Sequence, residues 1–209
     1  METSGSPILW GSGEKKKVEK IAKRKNSTIS QQWQNRINRA QGGYLEGRIK
    51  NGCVKYQSQG RAEIHKTPEP FHVIQRLDGL KFIGNFVGRA QPDFGGTLAG
   101  GRSIHFEAKY TDTLKMQKDA VKPHQAKALA LHHKLGAVAG VCVGIKLRCF
   151  FVPWTVWEQM EKIWGRKYVT ADDLAKYEVV FDMLNNAVCF LDYARSKRSA
   201  ASETKGGTT

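Results

Sequence analysis

The sequence predicts an α/β fold, on three observations. Residues Ser103–Tyr110 alternate with period two, as a strand does. Residues Asp119–Leu135 place Ala128, Leu129, His132 and Leu135 at helical spacing and stop at Gly136. Residues Ala137–Val152 are a long apolar stretch of strand type, either two strands or one long buried one. Strands and helices therefore alternate along the middle of the chain.

The remaining elements follow in chain order. Residues 1–27 mix Gly and Ser with Lys-rich runs (Lys15–Lys17, Lys23–Lys25) and read as a disordered basic arm. A single domain is predicted over residues 28–193, and a disordered polar tail over 194–209. Ser30–Lys50 reads as a helix with Trp33, Ile37, Tyr44, Leu45 and Ile49 near one face, interrupted at Gly42-Gly43. Arg61–Lys66 reads as a short strand, closed by Thr67-Pro68-Glu69-Pro70, because proline cannot donate to a ladder. Phe71–Gln91 alternates again and carries Asp78-Gly79, a hairpin turn signal, so an arm projecting over about 71–91 is expected. Asp93-Phe94 is read as the end of a strand, with Gly95–Gly101 as the turn into Ser103. Pro123 belongs in the first turn of its helix. Thr155–Glu158 has the pattern of a capping box, opening a helix with Val156, Trp157, Met160, Ile163 and Trp164 on one face. Thr170–Asp173 caps a further short helix, and a last strand is expected around Ala187–Leu191.

The chain is strongly basic, with net charge +15 over 209 residues. The two termini do not account for this, since +8 remains on residues 26–193. A basic body favours a polyanionic partner through counterion release. Cys53, Cys142, Cys149 and Cys189 form no Cys-x-x-Cys, and three of them lie in apolar runs as small buried hydrophobes. The early apolar piece Pro7–Trp10 is too short for a secretory signal, and no apolar run approaches membrane-spanning length. A cytoplasmic protein without membrane partners is expected.

The chemistry concentrates at Asp93, Glu107 and Lys109. Residues two apart on a strand share a face, so Glu107 and Lys109 project together with Ser103 and His105. A hairpin would bring Asp93 alongside. Two carboxylates on adjacent strands supply hard oxygen ligands for Mg²⁺, and the Ala108 carbonyl could add another. Lys109 could hold or deprotonate an attacking water and stabilise charge on a phosphate. A single face thus holds the parts that phosphodiester hydrolysis needs. Against this, a lone Glu-x-Lys is commonly a solvated strand face, and an Asp before Phe-Gly-Gly is commonly a turn residue.

Several separate blocks bear on that choice. Gly42-Gly43-Tyr44-Leu45-Glu46-x-x-Ile49, Tyr56, and Gly60-x-Ala62-x-Ile64-His65-Lys66-x-Pro68-x-Pro70 resemble the front half of RecU-type Holliday junction resolvases. Pro92-Asp93-Phe94-x-Gly96, Phe106-Glu107-Ala108-Lys109-x-Thr111 and His124-Gln125 resemble the second half. Gln41 stands where the family usually has a basic residue. The resemblance covers roughly residues 35–192. It implies a restriction-endonuclease-like core of the PD-(D/E)xK nuclease superfamily, with a mixed central sheet flanked by helices and a projecting stalk. It implies a homodimer that cleaves four-way DNA junctions by paired nicks, using Mg²⁺ with Mn²⁺ as a substitute. Asp93 and Glu107 would be metal ligands and Lys109 the catalytic lysine. Glu46 would be an acidic residue supplied by the first helix, and Gln125 would orient the site or contact DNA. Lys66 would lie near the cleaved strand, with Arg76, Lys81 and Arg89 as the basic residues of the stalk.

Other residues read more plainly. His105 is a bystander on the Glu107 face, and His132-His133 lacks metal-ligand spacing. Trp154, Trp157 and Trp164 belong to the core. Two further functions stay open: a restriction-like or repair nuclease acting on duplex DNA, and a non-catalytic basic DNA-binding protein.

Overall fold

The computed structural model describes residues 40–77, 79, 81–86 and 92–194. The chain divides into two units, Met1–Ala40 and Gln41–Thr209, and nearly all described residues belong to the second. The basic arm, the tail from residue 195 on, Asp78 of the expected turn and Arg89 lie outside the described residues. So do residues 30–39 of the expected first helix.

Helix α1 covers residues 40–58. The expected end at Lys50 is therefore corrected by eight residues, and Gly42-Gly43 lies within the helix. Leu45, Ile49, Cys53 and Tyr56 are all buried, a stripe at i, i+4, i+8 and i+11 that makes the extension worthwhile. The Tyr56 hydroxyl accepts from the Leu191 N–H at 3.0 Å and donates to Asp192 Oδ2 at 3.2 Å. Gly52 lets the helix approach its neighbour, since a Cβ there would sit 2.2 Å from the Val188 carbonyl oxygen.

Five strands make the central sheet: β1 (Ala62–Lys66), β4 (Phe94–Leu98), β5 (Ser103–Thr111), β7 (Val138–Ile145) and β8 (Arg148–Pro153), in the order β1-β4-β5-β7-β8. β5 and β7 pair in parallel, and the other neighbours are antiparallel, so the sheet is mixed as expected. Helix α2 (Pro123–Lys134) is the crossover between β5 and β7. One face of the sheet packs on α1 and on the hairpin β10 (Val179–Asp182) and β11 (Ala187–Tyr193), around Phe94, Phe106, Phe151 and Phe190. The other face packs on α2 and on two short helices, α3 (Trp154–Glu158) and α4 (Met160–Trp164), around Leu129, Val141, Val143, Trp157 and Met160. β6 (Lys115–Gln117) and β9 (Tyr168–Thr170) pair beside this second core.

Residues 71–86 form their own hairpin of β2 (Phe71–Arg76) and β3 (Phe82–Phe86). Its turn is closed by the Leu77 N–H donating to the Lys81 carbonyl at 3.0 Å, with Gly79 at φ +74°. Val73, Ile74, Phe82 and Ile83 are exposed on it.

Four local expectations are corrected. Phe94 begins a strand instead of ending one. Gly95 and Gly96 lie within it because neighbouring chains press close: a Cβ at Gly96 would meet the Glu63 carbonyl oxygen at 2.0 Å. Helix α2 starts at Pro123, with a 3₁₀ turn at Lys118–Ala120 before it, and Leu135 is exposed beyond its end. Thr155 caps nothing: α3 begins at Trp154 after Pro153, and Gln159 separates it from α4, leaving Ile163 exposed. Thr170 and Asp173 do bond each other reciprocally, but they lead into a 3₁₀ turn at Ala175–Tyr177. The stretch 137–152 resolves as two strands, turning at Lys146 with φ 54°. All four cysteines are buried and free, and burial pushes the Cys53 thiol up to about 12. Among the described residues no helix is long and apolar enough to cross a membrane.

The helix α1 contacts give a paired prediction. Gly52→Ala should destabilise the fold by about 2–3 kcal/mol through overpacking against β11. Gly47→Ala, where a Cβ meets nothing within 4 Å, should stabilise by roughly 0.5–1 kcal/mol. Chemical denaturation of both variants checks the pair.

Candidate active site

The site begins where β4 leaves β5. Their pairing runs from Thr97↔Ser103 to Phe94↔Phe106 and stops. Just beyond, the Ala108 N–H, two residues past Phe106, donates to Oδ2 of Asp93 at 3.0 Å. A carboxylate has taken the place of the next ladder carbonyl. Phe94 faces the α1 core, so by strand alternation Asp93 shares the opposite face with Glu107. The Asp93 backbone is held from the other side as well. Thr67, the residue after β1, donates its N–H to the Asp93 carbonyl at 2.9 Å and its hydroxyl to the Pro92 carbonyl at 2.7 Å.

Glu107 is fully buried, and it is the one buried charged side chain among the described residues. Its Oε2 accepts from Lys109 Nζ at 3.0 Å and from Gln125 Nε2 at 2.5 Å. Its Oε1 is buried without a partner. Lys109 Nζ also lies 3.8 Å from Asp93 Oδ2, so it bridges the two carboxylates. Gln125 is held at both ends of its amide, because its Oε1 accepts from the Lys122 N–H at 3.0 Å in the first turn of α2. Burial, and then the charge of Asp93, push the Glu107 carboxyl up to about 7, while Lys109 pulls the other way. Two hard oxygen donors with one lone pair set unused suit a divalent cation that keeps most of its water. Among the described residues no cluster of three or more His, Cys, Asp and Glu side chains adds to this pair.

A family model described as Recombination protein U matches residues 40–196. The chain belongs to the RecU family. No curated protein matches it. Among solved structures, it is similar to the Holliday junction resolvase Hjc of the archaeal hyperthermophile Archaeoglobus fulgidus, solved at 1.6 Å. That likeness is 13% identical, covers 49% of this chain and 71% of that one, and has a TM-score of 0.32.

In this RecU-family chain the expected residues fall into three groups. Asp93, Glu107, Lys109 and Gln125 come together on the α2 side of the sheet. Glu46 forms an ion pair with Lys66 at the end of β1, on the α1 side. Arg76 and Lys81 are exposed on either side of the hairpin turn. The Thr67 clamp was not foreseen from the sequence. Nor was the stack of His105 on His132, with ring centroids 3.7 Å apart and planes 15° apart. The available signal was the spacing Gln125, Leu129, His132, which is one helical stripe.

The raised Glu107 carboxyl predicts a pH effect with a definite sign. The folded state holds this proton more tightly than the unfolded chain, whose carboxyl has an ordinary value of 4.5. The protonated form's stabilisation is complete below about 4.5 and is lost as pH rises through about 7. Without divalent cations, Glu107→Gln should therefore gain stability relative to the parent as pH rises from 5 to about 8. Melting temperatures of both proteins across that range check this, and a gap that shrinks with pH contradicts it.

Proposed function

We propose that this RecU-family protein is a Mg²⁺-dependent endonuclease that resolves four-way DNA junctions, with Asp93, Glu107 and Lys109 at the cutting centre. The observation that carries the proposal is Glu107: a fully buried carboxylate with one unpartnered oxygen, set beside a second carboxylate and an ammonium. Leaving a buried polar atom unpaired costs about 1–3 kcal/mol, so such an atom marks a ligand position better than a structural one. The donor set fits Mg²⁺, with Mn²⁺ as a substitute.

Asp93 and Glu107 would hold the cation, and the Ala108 carbonyl shares the strand edge on which the Ala108 N–H meets Asp93. When bound, the cation supplies Lewis-acid polarisation of the phosphate and a more acidic water. The protein's own groups do the rest. Gln125 keeps Oε2 of Glu107 engaged, so that Oε1 is the oxygen left to offer. Lys109 carries a positive charge between the carboxylates and can pass to a water or to a phosphate oxygen once they are occupied. The Glu46–Lys66 pair lies at the strand end that runs into Thr67, where Lys66 can meet the DNA backbone.

The hairpin supplies the substrate preference in this reading. Lys66 and Phe94 are partners in register, so the 67–93 segment leaves and re-enters the sheet at the site itself. Arg76 and Lys81 near its tip would contact phosphates of the junction arms. Arg89 belongs to the same segment but lies outside the described residues. Symmetric paired nicks require two such sites, hence a homodimer.

Two predictions test the proposal. Asp93→Asn should lower Mg²⁺-dependent junction cleavage by at least about 100-fold and leave junction binding largely intact. Undiminished cleavage would sink the site assignment. The second compares a mobile four-way junction with linear duplex of the same sequence. The junction should be cut faster, and Arg76→Ala with Lys81→Ala should narrow the difference. Equal rates on both substrates would leave a general nuclease, and cutting of neither would leave a DNA-binding protein.

A further inference from the structure

We propose that His105 and His132 are positioning residues whose stacked rings hold α2 along β5 at the register in which Gln125 reaches Glu107. This inference rests on the reading of Glu107 as a cation ligand.

The geometry starts with the strand. His105 and Glu107 are consecutive residues on one face of β5. Opposite them, Gln125, Leu129 and His132 are spaced i, i+4 and i+7, one stripe of α2. Leu129 in the middle is fully buried in the core beneath. The stripe therefore touches the sheet at three points. Leu129 packs, Gln125 donates to Glu107, and His132 stacks on His105. Apolar packing is tolerant of a small slide along the strand. The amide-to-carboxylate bond is not, because a shift of 1 Å breaks it. A flat ring on a flat ring at 3.7 Å resists tilting and lifting of the helix at its C-terminal end.

One further fact supports a built contact. Gly95 makes the room: a Cβ there would lie 2.9 Å from His105 Nδ1. The glycine beside Asp93, the histidine beside Glu107 and the helix that carries Gln125 are thereby linked in one packed row.

The test uses the full chain and two readouts, Mn²⁺ affinity by calorimetry and thermal unfolding. His132→Ala should weaken Mn²⁺ binding about 5-fold, and Gln125→Ala about 10-fold or more. The double variant should bind no more weakly than Gln125→Ala alone, since both changes act through one bond. His132→Phe, which keeps a flat ring, should return to within about 2-fold of the parent affinity. His132→Gln keeps bulk without the ring and should behave like His132→Ala, which covers the case in which the alanine variant fails to fold. Parent-like Mn²⁺ affinity in His132→Gln and His132→Ala, with only a lower melting temperature, overturns the inference and leaves a structural contact. Additive losses in the double variant overturn it too. A parent protein that takes up no Mn²⁺ instead removes the ligand reading of Glu107, and this inference with it.

Discussion

The site depends on a place where a β-ladder ends early. β4 and β5 pair up to Phe94 and Phe106 and then part, while β5 continues for five residues against β7 alone. A strand edge left open at that depth must find donors and acceptors elsewhere. Asp93 meets part of that need with its own carboxylate, which accepts from the Ala108 N–H. The same bond therefore completes the sheet and carries a charge to the edge of β5. Thr67 secures the arrangement from β1, so Asp93 is held by both neighbouring strands.

Glu107 could not be kept buried by β5 alone. An ionised carboxylate away from water needs compensating partners, and the fold gives it an ammonium from its own strand and an amide from α2. Even so, burial beside Asp93 leaves its proton bound up to about pH 7. A cation between the carboxylates would remove the repulsion that raises this value, which is the reverse side of the same electrostatics. The neighbours that make the metal-free protein uncomfortable are those a bound cation would use. Fold stability and site chemistry are thus set against each other at a single side chain.

The sequence made much of this visible, for local reasons. The period-two pattern of Ser103–Tyr110 follows from one apolar and one polar strand face, and it put Glu107 and Lys109 together without any knowledge of the neighbours. Pro123 and Gly136 bracket α2 because one lacks a donor and the other takes φ +92°. What stayed hidden came from contacts between distant segments. Gly95-Gly96 looks like a turn by composition, but the glycines are there so that β1 and His105 can approach β4. The extension of α1 to residue 58 is stabilised by β11, which lies over 130 residues away at Tyr56 and Leu191. The split between α3 and α4 carries no strong local breaker at Gln159. His132 looked idle because its partner is on another element.

The expected residues near the sheet form two polar clusters, each held by its own bonds. Glu46 and Lys66 sit on the α1 side, and Asp93, Glu107, Lys109 and Gln125 on the α2 side. Their link is the backbone around Thr67, a single residue from Lys66 and bonded to the Asp93 carbonyl. The hairpin of residues 71–86 springs from that same junction, because Lys66 and Phe94 face each other in register. Val73, Ile74, Phe82 and Ile83 are exposed on it, so these residues do not pack it against the body of the domain. In this fold the hairpin and the carboxylates are neighbours along the chain, with only the Pro68–Pro70 segment between Phe71 of β2 and Thr67, which holds the Asp93 backbone.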